Sequence, residues 1–338
     1  MRMLITGGAG FVGSAFARNA VTGHEVWVLD ALTYAGNLAN LESLQDSPRF
    51  RFFRCDIRDA ALVERVLREF SPEVIVNFAA ESHVDRSLND ATPFVGTNVL
   101  GTQSLLDAVR RAAPGIRFVQ ISTDEVYGST TSERPASEDS PLCPSSPYAA
   151  SKAAADLLAL AAHRTFGLDV RITRCTNNYG PYQFPEKVVP LFITNLMETK
   201  AVPLYGDGLH TRDWIHCDDH SRGVLAVIER GRPGRIYNLG AQSPLTNLEL
   251  TKRILHLVGG DEKLVRHVSD RPGHDRAYYL DCSRARLELG WAAGIPLKDG
   301  LRNTVEWYRQ NRSWWEDIKK GTYLEYYSRQ YGNSGNHA

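Results

Sequence analysis

A chain of 338 residues, 43% of them hydrophobic, is long enough to bury a sizeable core, and its length suggests about two lobes. Its 39 basic and 39 acidic residues give a formal net charge of zero, which gives no indication of a polyanionic partner such as nucleic acid. No apolar run is long enough to span a bilayer, so we expect no membrane partner. The five cysteines show no CxxC spacing and no signal-peptide pattern precedes the first strand, so we expect a cytoplasmic protein with reduced thiols.

The first thirty residues predict a dinucleotide-binding unit. An apolar strand over 2–6 leads into a glycine-rich turn over 7–13, a helix over 11–21 and a second strand over 25–30. Glycines let the backbone approach a pyrophosphate, and the start of the helix offers free N–H groups to its charge. Asp30 closes the second strand, where a carboxylate accepts hydrogen bonds from a ribose diol and repels a 2′-phosphate. The pattern therefore favours NAD over NADP.

The alternation of strands and helices then continues. The sequence predicts strands over 51–55, 74–78 and 117–122 and helices over 59–70 and 93–112. Such alternation indicates an α/β fold with a Rossmann-type doubly wound parallel sheet, whose ligands lie beyond the carboxyl ends of the strands. The side chains that the sequence places at this edge are Asp30, Asp56, Ile57, the 79–83 segment and Thr123-Asp124-Glu125.

Asp124 and Glu125 are adjacent at the end of the strand predicted over 117–122. If the chain is still extended there, the two side chains diverge and can reach different atoms of one substrate. Two neighbouring carboxyls also push their pKa values apart, so one can act as an acid and the other as a base. An isolated pair of this kind is more often a solvated acidic turn, but its place beside Thr123 at the ligand edge favours catalysis.

Tyr148 and Lys152 form a second candidate pair. Ser146 and Pro147 predict the start of a helix, which puts Tyr148 in the first turn and Lys152 on the same face four residues later. An unperturbed phenol has a pKa near about 10, too high for a base at neutral pH. A nearby cation and the positive end of a helix both lower that pKa. An isolated pair could be an ordinary helix contact, but downstream of the glycine turn it indicates catalysis.

The segment 216–220 carries side chains of the metal-binding kind, two histidines, a cysteine and two aspartates. It has neither the HExxH order nor a second cysteine pair. We therefore expect a helix start with Asp218 and Asp219 in its first turn, and no metal site.

The order of these motifs resembles the extended short-chain dehydrogenase/reductase family, and within it the class of dTDP-glucose 4,6-dehydratases. The resemblance reaches nearly the whole chain, to about Trp315, and the adjacent Asp124 and Glu125 distinguish this class from sugar-nucleotide epimerases, which usually lack the pair. The segments that carry it are 32–37, 80–87, 122–128, 174–183, 185–187, 203–208, 212–214 and 270–275.

The resemblance implies a reaction on a nucleotide-linked glucose that leads to deoxysugars. Tyr148, assisted by Lys152 and Thr123, takes the proton of the C4 hydroxyl while NAD accepts the C4 hydride. Glu125 then removes the C5 proton, Asp124 protonates the departing C6 hydroxyl, and the hydride returns to C6. NAD is regenerated in each turnover and should stay tightly bound. Asp124 must carry a proton, so we expect burial and its acidic neighbour to raise its pKa.

The resemblance also assigns site residues. The positions expected at NAD are Gly7, Gly10, Phe11, Val12, Gly13, Asp30, Leu32, Thr33, Asp56, Ile57, Ala79, Ala80, Ser82, Thr97, Tyr148, Lys152 and Asn178. The positions expected at the substrate, dTDP-glucose, are Ser82, His83, Thr123, Asp124, Glu125, Tyr148, Asn177, Glu186, Lys187, Pro203, Tyr205, Arg212, Asn247, Arg271, His274 and Tyr278. Guanidinium groups such as those of Arg212 and Arg271 suit phosphate oxygens.

We expect an NAD-binding domain over 1–176, a smaller mixed α/β lobe for the nucleotide sugar over 177–320, and a tail over 321–338 whose last residues are disordered. The division leaves room for the chain to cross back between lobes. The resemblance further implies a homodimer through a four-helix bundle made by the helices over 93–112 and 148–166.

Two alternatives remain open on the sequence. Another member of the same family, a UDP-sugar dehydratase or a 4-epimerase, would keep most of these motifs. A non-catalytic NAD-binding regulator would keep the fold, although such proteins normally lose the Tyr or the Lys.

Overall fold

The computed structural model describes residues 1–320 and 322–331. The disorder expected at the end of the 321–338 tail concerns residues outside this described part. Within it, no helix is both long enough and apolar enough to cross a membrane.

The strands are β1 (Arg2–Thr6), β2 (Glu25–Asp30), β3 (Phe50–Arg54), β4 (Val74–Asn77), β5 (Arg117–Thr123), β6 (Val170–Cys175), β7 (Asn177–Tyr179), β8 (Val202–Tyr205), β9 (Thr211–His216), β10 (Ile236–Leu239), β11 (Pro244–Thr246) and β12 (Val265–Val268). The α-helices are α1 (Phe11–Ala20), α2 (Ala60–Phe70), α3 (Val84–Asn89), α4 (Thr92–Phe94), α5 (Thr102–Ala112), α6 (Pro147–Phe166), α7 (Val188–Met197), α8 (Cys217–Arg230), α9 (Asn247–Val258), α10 (Ser283–Leu289), α11 (Leu297–Gln310), α12 (Arg312–Ile318) and α13 (Thr322–Tyr331). Segments of 3-10 helix lie at Leu38–Leu44, Asp124–Tyr127 and Glu262–Leu264, and a π-helical segment lies at Val95–Gly101.

The large sheet has seven strands in the order β10-β6-β5-β4-β1-β2-β3. Each neighbouring pair is parallel. The order reverses around β1 and β4, so the crevice for ligands lies above this part of the sheet. The prediction of a Rossmann-type doubly wound fold is confirmed.

Two smaller sheets accompany the large one. One has the order β11-β9-β7 and the other pairs β12 with β8. Strand β10 lies far beyond residue 177 in the chain, yet it pairs with β6 and completes the large sheet. The chain therefore returns to the large sheet after forming β7, β8 and β9 of the smaller sheets.

Both faces of the large sheet are buried. Along β1, Met3 and Ile5 belong to the apolar cluster on one face, and Leu4 belongs to the cluster on the other. Each of these side chains is fully buried. Near-continuous apolar strands of this kind are what a parallel sheet covered by helices on both sides requires.

The helix predicted over 93–112 is the element that differs most from its prediction. Thr92–Phe94 is α-helical, Val95–Gly101 is π-helical, and only Thr102–Ala112 continues as a regular helix. Gly101 lies against Ile57, because an added Cβ would come within 2.5 Å of the Ile57 side chain. Such wider helical turns are frequent at functional sites.

Candidate active site

A cavity of about 750 Å³ lies at the carboxyl edge of the large sheet, and we call it the sheet-edge cavity. It brings together nearly all the positions that the sequence assigns to a dinucleotide and to catalysis. The predicted residues that line it are Gly7, Gly10, Phe11, Val12, Gly13, Asp30, Thr33, Asp56, Ile57, Ala79, Ala80, Ser82, Thr97, Thr123, Asp124, Glu125, Tyr148, Lys152, Asn177, Asn178, Glu186 and Lys187.

The glycine turn at one end of this cavity tolerates no side chains at two positions. Gly7 has φ of +67°, and a Cβ there would lie 2.5 Å from the backbone nitrogen of Ala79. A Cβ on Gly13 would lie 2.3 Å from the carbonyl oxygen of Gly7. Helix α1 begins directly after Gly10, which offers no capping side chain, so the free N–H groups of its first turn are available to an anion.

Asp30 is held in a fixed orientation at the end of β2. Its carboxylate accepts hydrogen bonds from the backbone N–H groups of Ala9, at 2.9 Å, and Leu32, at 2.8 Å. Leu32 itself, with φ of +54°, does not line the sheet-edge cavity. The backbone of Leu32 thus supports Asp30, and a contact between Leu32 and NAD stays a prediction.

Tyr148 and Lys152 lie on the first turns of α6. Ser146 caps this helix by accepting a hydrogen bond from the N–H of Ala149 at 3.1 Å, and Pro147 occupies the first helical position, as predicted. Both catalytic candidates are buried, with 8% and 4% of their surface exposed. The Lys152 ammonium donates a hydrogen bond to the carbonyl oxygen of Ile121 at 2.6 Å.

The expectation of a lowered phenol pKa is wrong for the chain by itself. Burial raises the pKa of Tyr148 well above its ordinary value, and the nearby carboxylate of Glu125 raises it further. A hydrogen bond from Thr123 lowers the pKa but does not outweigh these effects. The free energy needed to bury the phenolate exceeds the stabilisation that the start of the helix and the Lys152 cation give to it.

Asp124 and Glu125 are not in extended backbone, which corrects the geometry predicted for them. Strand β5 ends at Thr123, and the pair forms the first two residues of the 3-10 turn Asp124–Tyr127. The Thr123 hydroxyl both donates to Asp124, at 3.2 Å, and accepts from the N–H of Glu125, at 3.3 Å. The tight turn places the Asp124 carboxyl beside the Thr123 hydroxyl, and both acidic residues line the sheet-edge cavity.

The two carboxyls have different environments. Burial raises the pKa of Asp124 well above its ordinary value, and the neighbouring Glu125 adds to the shift, which confirms the prediction for Asp124. Burial also raises the pKa of Glu125, but the cations of Arg271, Arg212 and Lys187 oppose that rise. The arrangement therefore favours a protonated Asp124 next to an ionised Glu125.

A second cavity of about 150 Å³, which we call the lobe cavity, shares five lining residues with the first. The shared residues are Ser82, Glu125, Asn177, Glu186 and Lys187. The other predicted substrate residues that line it are His83, Pro203, Tyr205, Arg212, Asn247, Arg271 and His274. Tyr278 lines neither cavity, but the Arg212 guanidinium lies 4.2 Å from the centre of its ring.

The lobe cavity carries cations that are held by short contacts. Arg271 donates to the carboxylate of Asp85 at 3.0 Å, and the Tyr205 hydroxyl donates to the same carboxylate at 3.1 Å. Lys187 donates to the carbonyl oxygen of Ser82 at 2.8 Å. Cations fixed in this way, with Arg212 beside them, suit the oxygens of a diphosphate.

Histidine and acidic side chains meet at two places in the described chain. The ligand atoms of His210, Asp270 and His274 lie within 4.8 Å of one another, as do those of His216, Cys217 and Asp218. In the first group, the His274 ring nitrogen Nδ1 donates a hydrogen bond to the Asp270 carboxylate at 2.6 Å, and the His274 ring stacks on that of His210 with a distance of 3.8 Å between ring centres. In the second, α8 begins at Cys217 with Asp218 and Asp219 in its first turn, which confirms the predicted helix start.

The sequence did not identify Asp85 and Tyr331, which also line the lobe cavity. Helix α13 carries Tyr331 and places Gln330 so that its amide donates to the Tyr205 hydroxyl at 2.9 Å. The spacing of Tyr323, Tyr327 and Tyr331, four residues apart, was the available signal for a helix with one aromatic face.

Comparisons with known proteins agree with this geometry. The family model described as GDP-mannose 4,6 dehydratase matches residues 4–304. A dTDP-glucose 4,6-dehydratase from Streptomyces niveus is 53% identical over 94% of this chain and 96% of that protein, and one from Neisseria meningitidis is 43% identical over 95% and 97%. The crystal structure of DesIV, a dTDP-glucose 4,6-dehydratase from Streptomyces venezuelae with NAD and TYD bound, has a TM-score of 0.92 and 55% identity, covering 94% of this chain and 100% of that chain. A UDP-glucose 4-epimerase from Thermotoga maritima has a TM-score of 0.86 at 30% identity, covering 92% and 100%.

Proposed function

The chain belongs to the dTDP-glucose 4,6-dehydratase family, and we propose that it converts dTDP-D-glucose to dTDP-4-keto-6-deoxy-D-glucose and water with a resident NAD. The observation that carries the proposal is the meeting of two pairs in one cavity, Asp124 with Glu125 and Tyr148 with Lys152. A single oxidation or epimerisation needs only the second pair. Removal of water also needs an acid and a second base.

The residues of the sheet-edge cavity fit NAD. The space that an added Cβ would fill at Gly7 and Gly13 is what a pyrophosphate needs for close approach to the backbone. Asp30, oriented by two backbone N–H groups, has lone pairs left for a ribose diol. NAD, when bound, supplies the hydride acceptor for C4 and the hydride donor for C6 of the sugar.

Tyr148 is the proposed base for the C4 hydroxyl proton. Thr123 lowers the pKa of this phenol by hydrogen bonding, against the rise caused first by burial. The cation of Lys152, one helical turn away, favours the phenolate by charge. Proton transfer by a positioned side chain contributes about 10²- to 10⁴-fold to a rate.

Glu125 and Asp124 are the proposed base and acid of the elimination. Glu125 lies next to the cations that favour its ionised form, so it removes the proton at C5. Asp124 keeps its proton because burial raises its pKa, and it donates that proton to the C6 oxygen as water leaves. The assignment follows from charge, since only the carboxyl that stays neutral can act as the acid.

The lobe cavity is the proposed site of the nucleotide. Its fixed cations would bind the diphosphate, and Pro203, Tyr205 and Asn247 would hold the nucleoside. Thymine and uracil differ by one methyl group, worth about 1–3 kcal/mol in a pocket, so a UDP-sugar dehydratase is the nearest alternative.

We further propose a division into an NAD-binding domain over 1–176, joined by β10, and a nucleotide-sugar lobe over most of 177–320. Apolar side chains that remain exposed on the π-helical segment and α6, among them Leu100 at 61% and Leu157 at 57%, support a homodimer through these helices. The five cysteines are free thiols, which supports a cytoplasmic location.

The test is incubation of the purified protein with dTDP-, UDP-, GDP- and CDP-glucose, followed by mass spectrometry. We expect the dTDP sugar to lose the mass of one water and to give the absorbance in base of a 4-keto-6-deoxy sugar. Preference for the UDP sugar would establish the alternative substrate. Turnover of none of the four would contradict an enzymatic role and favour an NAD-binding regulator.

A further inference from the structure

A buried ion pair joins Asp156 on the catalytic helix α6 to Arg174 on β6 and has no part in the proposed proton transfers. Asp156 is four residues after Lys152 on α6, one helical turn further from Tyr148. Its carboxylate accepts a hydrogen bond from the Arg174 guanidinium at 2.9 Å. Asp156 is fully buried, and Arg174 is 2% exposed. Removing both charges from water costs free energy that offsets their attraction, so such a pair adds little to stability. We therefore looked for a functional role of the two charges.

Arg174 occupies the strand next to the catalytic turn. It lies on β6 directly across from Ser122 of β5, one residue before the strand ends at Thr123. Its guanidinium also lies 4.8 Å from the ring centre of Tyr127, the last residue of the turn that carries the two carboxyls. The Tyr127 hydroxyl is fixed in turn by Asn238 of β10 at 2.8 Å. The Arg174 guanidinium thus contacts both α6, through Asp156, and the end of the turn Asp124–Tyr127.

Lys152 needs a counter-ion in this place. It is 4% exposed, and burial lowers the pKa of its ammonium, which favours the neutral amine. Of the groups around it, Asp156 opposes that lowering most and Cys175 next, but burial raises the pKa of Cys175 to about 12, so this thiol is neutral. Titratable or charged groups on the elements packed around this stretch of α6 are Tyr148 and Asp156 on α6, Asp85 and Arg86 on α3, Asp124, Glu125 and Tyr127 on the turn, and Arg174 and Cys175 on β6.

We propose that Asp156 is a positioning residue for the reaction, the counter-ion that keeps Lys152 protonated beside Tyr148, and that Arg174 holds Asp156 ionised and in place. Burial raises the pKa of Asp156, and the guanidinium of Arg174 opposes this rise, first by its charge and then by its hydrogen bond. Without the carboxylate, the buried ammonium would lose its proton at a lower pH, and the phenolate of Tyr148 would lose its cation. Only the predicted effect of Asp156 on turnover rests on the proposed function, and its effect on the protonation of Lys152 does not.

The experiment measures Lys152 directly. The chain has eight lysines, so lysine labelled with ¹³C at Cε gives few NMR signals, and the signal missing from Lys152→Arg identifies Lys152. In Asp156→Asn, we expect Lys152 to titrate about one pH unit or more below its wild-type value, and Asp156→Glu to restore most of the shift. The fall of kcat at alkaline pH should move in the same direction in each variant.

The matched control is Asp169→Asn, which breaks the pairs of Asp169 with Arg171, at 3.0 Å, and Arg117, at 3.3 Å, at the opposite end of β6. It should lower stability and leave the Lys152 titration in place. Because Asp156→Asn leaves Arg174 buried without its anion, the double variant Asp156→Asn, Arg174→Met removes both charges if the single variant does not fold. An unchanged Lys152 titration in either folded variant would overturn the proposal. The titration needs no substrate, so this outcome is distinct from failure of the dehydratase assignment.

Discussion

Asp124 and Glu125 are neighbours in the chain but meet different charges. Three cations, Arg271, Arg212 and Lys187, oppose the rise that burial gives to the pKa of Glu125. For Asp124, burial and then Glu125 raise the pKa, and among the cations Arg212 acts against this. The surroundings therefore raise the pKa of Asp124 with less opposition from cations than that of Glu125, which is the difference that an elimination with a separate acid and base requires.

The buried acid has a cost in stability that can be measured. A carboxyl whose pKa is raised on folding loses stabilisation as pH rises from its unfolded pKa through its folded pKa. At neutral pH the Asp124→Asn protein, which keeps an acceptor for the Thr123 hydroxyl, should therefore unfold with a free energy higher by about 1 kcal/mol or more. Denaturant unfolding at several pH values tests this. The gain should vanish below about pH 4, and a variant less stable than wild type at pH 7 would contradict the raised pKa.

Loss of the proposed base, Glu125, should slow both proton exchange at C5 of the sugar and the release of water. In Glu125→Gln, incorporation of solvent deuterium at C5 and release of water should both fall by about 10²- to 10⁴-fold, because the amide of glutamine cannot accept the C5 proton. Mass spectrometry in D₂O measures both. Glu133→Gln alters an exposed glutamate and should react at the wild-type rate. Exchange and dehydration that both survive in Glu125→Gln would show that another group is the base.

For single residues, the sequence predicts which side chains belong to the candidate site better than it predicts their pKa values. The raised pKa of Asp124 follows from two adjacent acids at a buried strand end. The raised pKa of Tyr148 does not follow from its spacing to Lys152, because burial and the approach of Glu125 depend on the folded neighbours. The sequence also does not show that the Leu32 backbone, with its positive φ, donates a hydrogen bond to the Asp30 carboxylate.

Among the elements, the start of α6 determines where Tyr148 lies. Ser146 caps the helix two residues before it, through the hydrogen bond from Ala149. Ser146→Ala should destabilise the protein by about 1 kcal/mol and loosen the first turn, with a fall in kcat larger than any change in KM. Thermal unfolding and steady-state kinetics measure the two effects.

Helix α2 offers the control. Asp59 caps it by accepting from the N–H of Leu62 at 3.0 Å, and none of the residues 60–70 lines either cavity. Asp59→Ala should cost similar stability and leave kcat near its wild-type value. Equal falls in kcat for both variants would mean that stability, and not the position of Tyr148, limits the rate.

Strand and helix positions were largely predictable, because apolar runs and capping residues are local signals. β1 and β2 match the predicted ranges, and Pro147 begins α6 as predicted. The π-helical segment Val95–Gly101 was not predicted, and local sequence does not show that Gly101 lies against Ile57, forty-four residues away in the chain. The turn Asp124–Tyr127 likewise follows from hydrogen bonds at Thr123 that composition does not show.

For the molecule as a whole, the site is assembled from distant segments. Asp85, Tyr205 and Arg271 meet in one hydrogen-bonded group at the lobe cavity. No local pattern predicts such a meeting, and the sequence placed Tyr205 and Arg271 there only through the family resemblance. The sheet edge was more predictable, because the carboxyl ends of parallel strands must lie together.

The proposed homodimer can be tested by mutation of its apolar face. Leu100→Glu and Leu157→Glu place a charge on side chains that are 61% and 57% exposed in one protomer, and should shift the mass in light scattering from twice 37.7 kDa to 37.7 kDa. Leu287→Glu changes a leucine that is 83% exposed on α10 and should leave the dimer intact. A wild-type monomer, or dimers in all three variants, would contradict this interface.

We propose that C4 of one sugar is oxidised, water is removed across C5 and C6, and C6 is reduced, all within one cavity. The most direct test is dTDP-glucose carrying deuterium at C4, with the position of the label in the product read by NMR. We expect the deuterium in the C6 methyl group of the 4-keto product, transferred within the same molecule. Deuterium that remains at C4, as in an epimerisation, or that is lost to solvent, would contradict it.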